Sequence, residues 1–588
     1  MTAVADVRDV EQMDVPDEAT VSRLRRQLRP RPSTLVVVAA LACWIYSLGH
    51  LDSTSQNQYG LLFSSTPVFA VSIALVVVGF ALAVRSRDYY TAWFSVFASI
   101  VILRLTVTLA TAVPYYSWTY KHLGVVDYLA STDGVPARDV DIYNHWVALF
   151  ASTAWFDDLT GMNPATLAHW FTPVSYVLEV FLLYAAARAW DRTKMQAVLV
   201  AFIGQTFDWV GQSYYSPQWT AFLLALGVII LMGYSRTRPR YVWLNVTLFT
   251  ALAITHQLTP YWLIGLAFCL AVCRKIKPWW LFAVFAAIAF GFLIYNYSSA
   301  AQFNLFHFSI DNAQSNVPTT GVAGQKFASL CVRALAVIMW LSAGLVFLYR
   351  LIRRQPVMAH ACLALTSFAL LAGQSYGGEA VFRVFLYSIP GCVIMLAPVT
   401  ERVIQAKSRI SGVAMTAVAC ALALMSGEGQ FGNWFAFRMT REEVSLSKCM
   451  IEQLPADVYI TPAAPTWPER AGADYVRKVR ANKNWDQLAV EETDLVGVHF
   501  NTDAQYARIT GLIASRGATP TYLVITQQMI FYDWYFGLLP FDSLYNLEAR
   551  LTQDPKWEVV YKSSSAMIFK SNFFPAANTA DDKFFCGR

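Results

Sequence analysis

The sequence predicts a polytopic α-helical membrane protein of about thirteen transmembrane helices, give or take two, with a C-terminal extracytoplasmic α/β domain. Three observations predict it. Of 588 residues, 56% are hydrophobic and only 14% charged, against about 25% charged in soluble domains, and mean hydropathy is +0.40. Apolar runs long enough to cross roughly 30 Å of hydrocarbon recur through the first 427 residues. Beyond residue 427 the composition turns polar.

Residues 1–32 are acidic (Asp6, Asp9, Glu11, Asp14, Asp17, Glu18) and then basic (Arg23, Arg25, Arg26, Arg29, Arg31), which predicts a disordered cytoplasmic tail and not a signal peptide. The membrane module, 33–427, holds the candidate spans 33–50, 67–84, 91–113, 169–187, 195–212, 216–234, 241–256, 258–273, 278–296, 328–349, 357–373, 382–400 and 411–427. Alternate loops carry the basic residues: Arg85/Arg87, Arg188/Arg192/Lys194, Arg236/Arg238/Arg240, Arg274/Lys275/Lys277, Arg350/Arg353/Arg354 and Arg402/Lys407/Arg409. The positive-inside rule then puts the N-terminus and these turns in the cytoplasm. It puts the long loop 114–168 and everything after 427 outside. The net charge of +6 is thus an orientation signal at a membrane lipid surface, and nucleic acid is not implied as a partner.

The external domain, 428–588, reads as alternating elements. REEVSLSKCMIEQL is a helix, DVYITP a strand, TDAQYARITGLIASRG a helix ending at Gly517, and TYLVIT a strand. Residues 527–552 read as helical, and WEVVYKSS with SAMIFKS as a closing hairpin. Seven cysteines fall in or beside spans, where they serve as small apolar residues. Cys449 and Cys586 are the two in the external domain; outside the cytoplasm they are expected to pair.

The loop 114–168 is the longest polar interruption in the membrane module, and it holds Asp127, Asp133, Asp139, Asp141, Asp157 and Asp158 with His122 and His145. DVDIYNHWVALFASTAWF reads as an amphipathic helix on the membrane surface, with Asp139 and Asp141 at its N-terminal end. There the helix dipole favours the anion, which suits a general base or a divalent-cation ligand; helix capping is the structural alternative. Other polar turns face the same side: 50–60, GQSYYSPQ (211–218), THQLTP (255–260), 296–326 and GQSYGGEAVFR (373–383). A tight turn has no need of Gln, Tyr and His at the apolar boundary, so an outward-opening site is favoured. Among charges within spans, Arg104 and Glu179 read as a structural ion pair, with Asp208 in the fifth span. Arg383, beside Glu379 at an outer mouth, suits a lipid-linked phosphate or pyrophosphate, with snorkelling to headgroups as the alternative.

YKHLGVVDYLASTDG, DIYNHW, GQSYYSPQ, THQLTP and YGGEAVFRVFLYSIP together resemble GT-C-like proteins of actinobacteria, within the GT-C superfamily of membrane glycosyltransferases. The resemblance spans most of residues 34–588. It implies sugar transfer from a polyprenyl-phosphate donor to a glycan, lipid or protein acceptor of the cell envelope at the outer face. A carboxylate is then expected to deprotonate the acceptor hydroxyl. GT-C enzymes usually carry it after the first span, where this chain offers only Asp52; the long acidic loop follows the third span. Asp141 is therefore expected as base, then Asp139, then Asp52. Arg383, His256, Lys121 and His122 are expected at the phosphate, and Tyr214, Tyr215, Gln218 and Glu379 at the sugar, with Trp118 and Trp146 as further stacking or belt aromatics. A lipid-linked polysaccharide polymerase or ligase, or a transporter or flippase of a lipid-linked saccharide, are the competing functions. The latter predicts inverted repeats, and none is seen.

Overall fold

The computed structural model describes residues 31–132, 134–301, 321–372, 380–489, 495–517, 519–573 and 586. The tail up to residue 30, most of the 296–326 loop (His307 included) and Glu379 lie outside them.

Each of the thirteen apolar stretches is helical. Among the described residues, seven helices are long and apolar enough to cross a membrane: Pro67–Arg85, Tyr89–Ala110, Pro164–Ala189, Pro217–Ser235, Ala323–Ile352, Ala380–Gln405 and Arg409–Phe437. Pro32–Leu48, Tyr241–Ala253, Thr259–Val272, Leu281–Tyr295 and Met358–Leu371 are apolar but shorter, and Lys194–Phe207 completes the set. The chain is a polytopic helical membrane protein. Prolines at first-turn positions (Pro32, Pro67, Pro164, Pro217), with side-chain caps from Asn163 and Ser216, set several helix starts. Ala380–Gln405 is the most enclosed long helix, 83% of its apolar window being buried, and it carries Arg383 in its first turn.

The basic turns gather at one end of the bundle. Arg85 donates to Ile404 O and Arg87 to Gln405, while Arg192 reaches Ile394 O and His360. The Trp118–Thr132 helix, the 211–218 turn and the 255–258 turn meet at the other end.

Arg104 does not pair with Glu179. It lies in a π-helical turn, Val101–Leu105, where its guanidinium donates to Gln430 Oε1 (2.8 Å), Asp208 O (2.7 Å) and Gln205 O and stacks on Tyr176. Main-chain carbonyls left open at the end of Lys194–Phe207 draw it there. Asp208 instead accepts from Tyr176. The last span also runs past the expected boundary at 428: its helix continues to Phe431, with Glu428 buried and the half-buried Gln430 bonded to Arg104.

The C-terminal domain begins at Thr440, whose hydroxyl and Glu443 form a reciprocal capping box. A four-stranded sheet of order β1-β2-β4-β3 follows: β1 Tyr459–Pro462, β2 Thr521–Thr526, β3 Trp557–Lys562, β4 Ala566–Ser571. β1 and β2 are parallel, and β4 is antiparallel to both β2 and β3. The central β2, TYLVIT, is buried at every residue. The 527–552 stretch is two helices, Gln527–Phe536 and Ser543–Gln553, because Gly537 adopts a left-handed turn (φ 71°) that ends the first. Cys449 is bonded to Cys586.

The long loop is not a separate layer. Trp118–Thr132 and Ala148–Thr160 bury Tyr120, Leu123, Val126 and Phe150 in one core with Met450, Ile460, Trp467 and Tyr475 of the C-terminal domain. Gly124 makes this possible. A Cβ there would lie 2.0 Å from Arg470 O, so the helix touches the main chain of the domain directly. Gly124→Ala is expected to destabilise the protein by about 1–3 kcal/mol, measured as a lowered unfolding midpoint of purified protein. Wild-type stability in this variant would contradict the contact.

Candidate functional site

Three cavities run in series at the end of the bundle opposite the basic turns. The first, about 400 Å³, lies among Val107, Trp209, Ala328, Val332, Phe382 and Phe437, between membrane helices and the C-terminal domain. It shares Tyr116, Gln212 and Tyr214 with a second, of about 220 Å³, lined by His122, Tyr143, Gln218, His256, Gln257 and Arg383. Trp118 lines the second and also the third, about 400 Å³, which is otherwise walled by Lys121 and by residues 465–488 of the C-terminal domain.

No carboxylate lines the second cavity among the described residues; hydrogen-bond donors do. Arg383 is 7% exposed and its Nε donates to Gln218 Oε1 at 3.0 Å, which turns the Gln218 amide so that its NH₂ has no protein acceptor. The Gln257 NH₂ is likewise buried without an acceptor. Unpaired buried donors are costly and mark where a ligand belongs.

The two histidines hold opposite tautomers. His122 Nδ1 lies 2.8 Å from Tyr215 O, so it carries the proton, and the buried Nε2 keeps its lone pair without a protein partner. His256 Nδ1 receives the main-chain N–H groups of Leu258 and Thr259, so its proton is on Nε2. Burial pushes His122 down to about 4 and His256 to about 3, the second helped by the Arg383 charge. Both are neutral imidazoles at neutral pH. His256 also starts the Thr259–Val272 helix by taking its first N–H, which is why the 255–258 turn is tight yet polar.

Asp141 is 3% exposed and lines none of the three cavities, but its partners do: Tyr143 lines the second, and Lys121 and Arg470 line the third. Its Oδ1 accepts the Tyr143 N–H at 3.1 Å, capping the short turn Ile142–His145. Its Oδ2 meets Arg470 at 2.6 Å and Lys121 at 3.7 Å. Burial by itself would raise this carboxyl, but the Lys121 and Arg470 charges and the Tyr143 N–H outweigh it and hold it below the usual carboxylate range.

The structure gathers His122, His256, Tyr214, Gln218 and Arg383 around one cavity and sets Asp141 and Lys121 behind it. Asp139 is exposed and paired with Lys483 at 3.2 Å. The expected helix over DVDIYNHWVALFASTAWF starts only at Ala148, because Asp141 turns the chain through Ile142–His145 first. Tyr215 is fully buried and donates to Thr153 at 2.7 Å, so it is a packing residue, with Tyr214 the one at the cavity. Trp146 is buried against Phe292. Asp52 lines none of the three cavities and accepts instead from Thr54. Among the described residues no three His, Cys, Asp or Glu side chains are grouped as a metal would need.

Sequence reasoning missed Gln257, Tyr143, Arg470 and Asp486. Gln257 stands in the THQLTP turn already marked as too polar for its length. Tyr143 lies two residues from Asp141. Arg470 has only a weak mark, its place between Pro468 and Gly472.

No protein-family model and no curated protein matches the sequence. Solved structures do. The Archaeoglobus fulgidus oligosaccharyltransferase tethered with an acceptor peptide aligns with TM-score 0.47 at 11% identity, over 78% of this chain and 72% of that one. ArnT from Cupriavidus metallidurans bound to undecaprenyl phosphate gives 0.45 at 10% identity, over 82% and 98%. The arabinofuranosyltransferase AftD from mycobacteria gives 0.45 at 12% identity, over 82% of this chain and 40% of that one.

The neutral His122 makes a pH prediction. Its folded value is about 4 against 6.5 when free. Between those values the unfolded chain binds a proton that the folded chain refuses, so stability falls as pH falls from 6.5 towards 4. For this imidazole the loss between pH 7 and pH 5 is roughly 2 kcal/mol. His122→Asn is expected to remove that share of the slope, read from unfolding midpoints across pH; an unchanged slope would contradict a buried neutral ring.

Proposed function

We propose that the chain is a membrane glycosyltransferase that moves a sugar from a polyprenyl-phosphate donor to a cell-envelope glycan, lipid or protein. The observation that carries this is the cluster of hydrogen-bond donors around the second cavity. There, Arg383, the Nε2–H of His256 and the NH₂ groups of Gln218 and Gln257 converge, next to a cavity of mixed lining between the membrane helices and the C-terminal domain, whose apolar part includes Val107, Trp209, Val332 and Phe382. Such a pair of chambers suits an anion with an apolar tail. The basic turns at the opposite end support a cytoplasmic N-terminus, with the site and the C-terminal domain outside the plasma membrane.

Cleavage of a glycosyl phosphate puts charge on the departing phosphate, and fixed donors at that position lower the barrier. The acceptor hydroxyl attacks the anomeric carbon and the bond from carbon to phosphate oxygen breaks. The hydroxyl proton passes to Asp141, and the lipid phosphate stays on Arg383 and its neighbours. Asp141 is held ionised by its cations.

The test is sugar transfer in vesicles from a panel of radiolabelled polyprenyl-phosphate sugars. Asp141→Asn is expected to lower turnover by about 10²–10⁴-fold. Arg383→Ala is expected to weaken donor binding, with Lys failing to restore the planar fork, and Asp52→Asn to leave transfer near wild type. Activity lost only in Asp52→Asn would move the base. Movement of lipid or solute across the vesicle with no transfer would replace the enzyme by a transporter.

A further inference from the structure

The third cavity has the opposite electrostatics. Lys121, Arg470 and Lys483 line it, and each already faces a carboxylate: Lys121 and Arg470 meet Asp141, Arg470 also meets Asp486 at 2.6 Å, and Lys483 meets Asp139. Glu469 adds a further negative charge to the lining. The lining holds these three cations and two carboxylates, Asp486 and Glu469; Asp141 and Asp139 stand behind it, with Arg480 near Asp139, so the charges around the cavity are matched and none is left over for a phosphate or a uronate.

What the cavity does offer is planar groups that donate and accept in pairs. Asn484 and Gln487 bring amides, and Asp486 and Glu469 bring carboxylates, beside the Trp118 indole, which is 37% exposed. A sugar hydroxyl both donates and accepts, so adjacent hydroxyls match such groups, while the C–H face of the ring packs on an indole. The walls come from two chain segments fixed to each other: Ser117 donates to Pro465 O, and Tyr475 to Asn144 at 3.0 Å.

We propose that this cavity, between the Trp118–Thr132 helix and residues 465–488 of the C-terminal domain, is the acceptor subsite, and that it takes an uncharged, hydroxyl-bearing glycan. This rests on the glycosyltransferase reading and narrows it. The acceptor is a neutral sugar chain, and the C-terminal domain supplies most of the residues that select it. Trp118, common to both cavities, sets where acceptor and donor meet, and Asp141 lies behind that wall.

The test is binding to the full chain in lipid nanodiscs, with three kinds of probe. These are neutral oligosaccharides (arabinan, mannan, glucan and galactan fragments), oligouronates of matched length, and undecaprenyl phosphate. At least one neutral oligosaccharide is expected to bind, with oligouronates at least tenfold weaker. Asn484→Ala and Gln487→Ala, at exposed and half-buried positions, are expected to weaken the glycan tenfold or more and leave undecaprenyl phosphate unchanged. Arg383→Ala is expected to do the reverse. Preference for oligouronates, glycan binding untouched by both amide variants, or no binding of any neutral fragment overturns the subsite. Glycan binding without binding of undecaprenyl phosphate keeps the subsite and overturns the donor reading instead.

Discussion

Arg470 sits with one arm on Asp141, which is 3% exposed, and the other on Asp486, which is half-buried at the third cavity. Removing one member of such a pair typically costs about 3–5 kcal/mol, because the survivor is left charged in a poorly solvating place. The main chain is arranged to permit it. Arg470 adopts φ 52°, a left-handed conformation that a side chain with a Cβ makes unfavourable, and Gly472 follows at φ 92°. The tight bend brings Arg470 O onto Gly124 while the side chain turns back to Asp141. The ionisation of Asp141, the seating of the loop helix and the wall of the third cavity thus share one residue.

Around that residue the protein builds two chambers of contrasting character within a few side chains of each other. In one, burial removes the charge from the histidines but leaves their hydrogen-bonding polarity, fixed by neighbours that are themselves main-chain groups. Opposite tautomers let one ring present a lone pair and the other a proton without any change of pH. In the other, full charges are kept but matched, so the chamber is polar without being an anion trap. Two adjacent chambers of unlike field can hold unlike ligands, since a shared positive field would draw anions into both.

The membrane part was legible because hydropathy acts over long windows: thirteen apolar stretches each became a helix, and their basic turns did meet at one end. The strands of the C-terminal domain were legible because TYLVIT and the two hairpin runs are rich in β-branched and aromatic residues. Site residues in polar turns, such as His256 and Gln218, stood out because such groups are costly at an apolar boundary. Partners distant in the chain did not stand out. Nothing local tells Asp141 that it will meet a residue 329 positions later, nor Arg104 that it will meet carbonyls and Gln430 in place of Glu179. Asp141 at the start of an amphipathic run looks like a helix cap, and part of it is one; its burial under Arg470 is a tertiary fact.

The shared core of the loop and the C-terminal domain has a consequence for how the protein is made. Tyr120, Leu123 and Val126 emerge early in synthesis, and their partners Met450, Trp467 and Tyr475 emerge only after every membrane helix has been threaded. The body formed by the loop and the C-terminal domain is therefore interrupted in sequence by the membrane bundle, not appended to it. Until the chain is nearly complete, an apolar helix face waits at the membrane surface, where lipid can shelter it. The bilayer that later holds the finished protein would then also serve, during assembly, as the chaperone of its polar half.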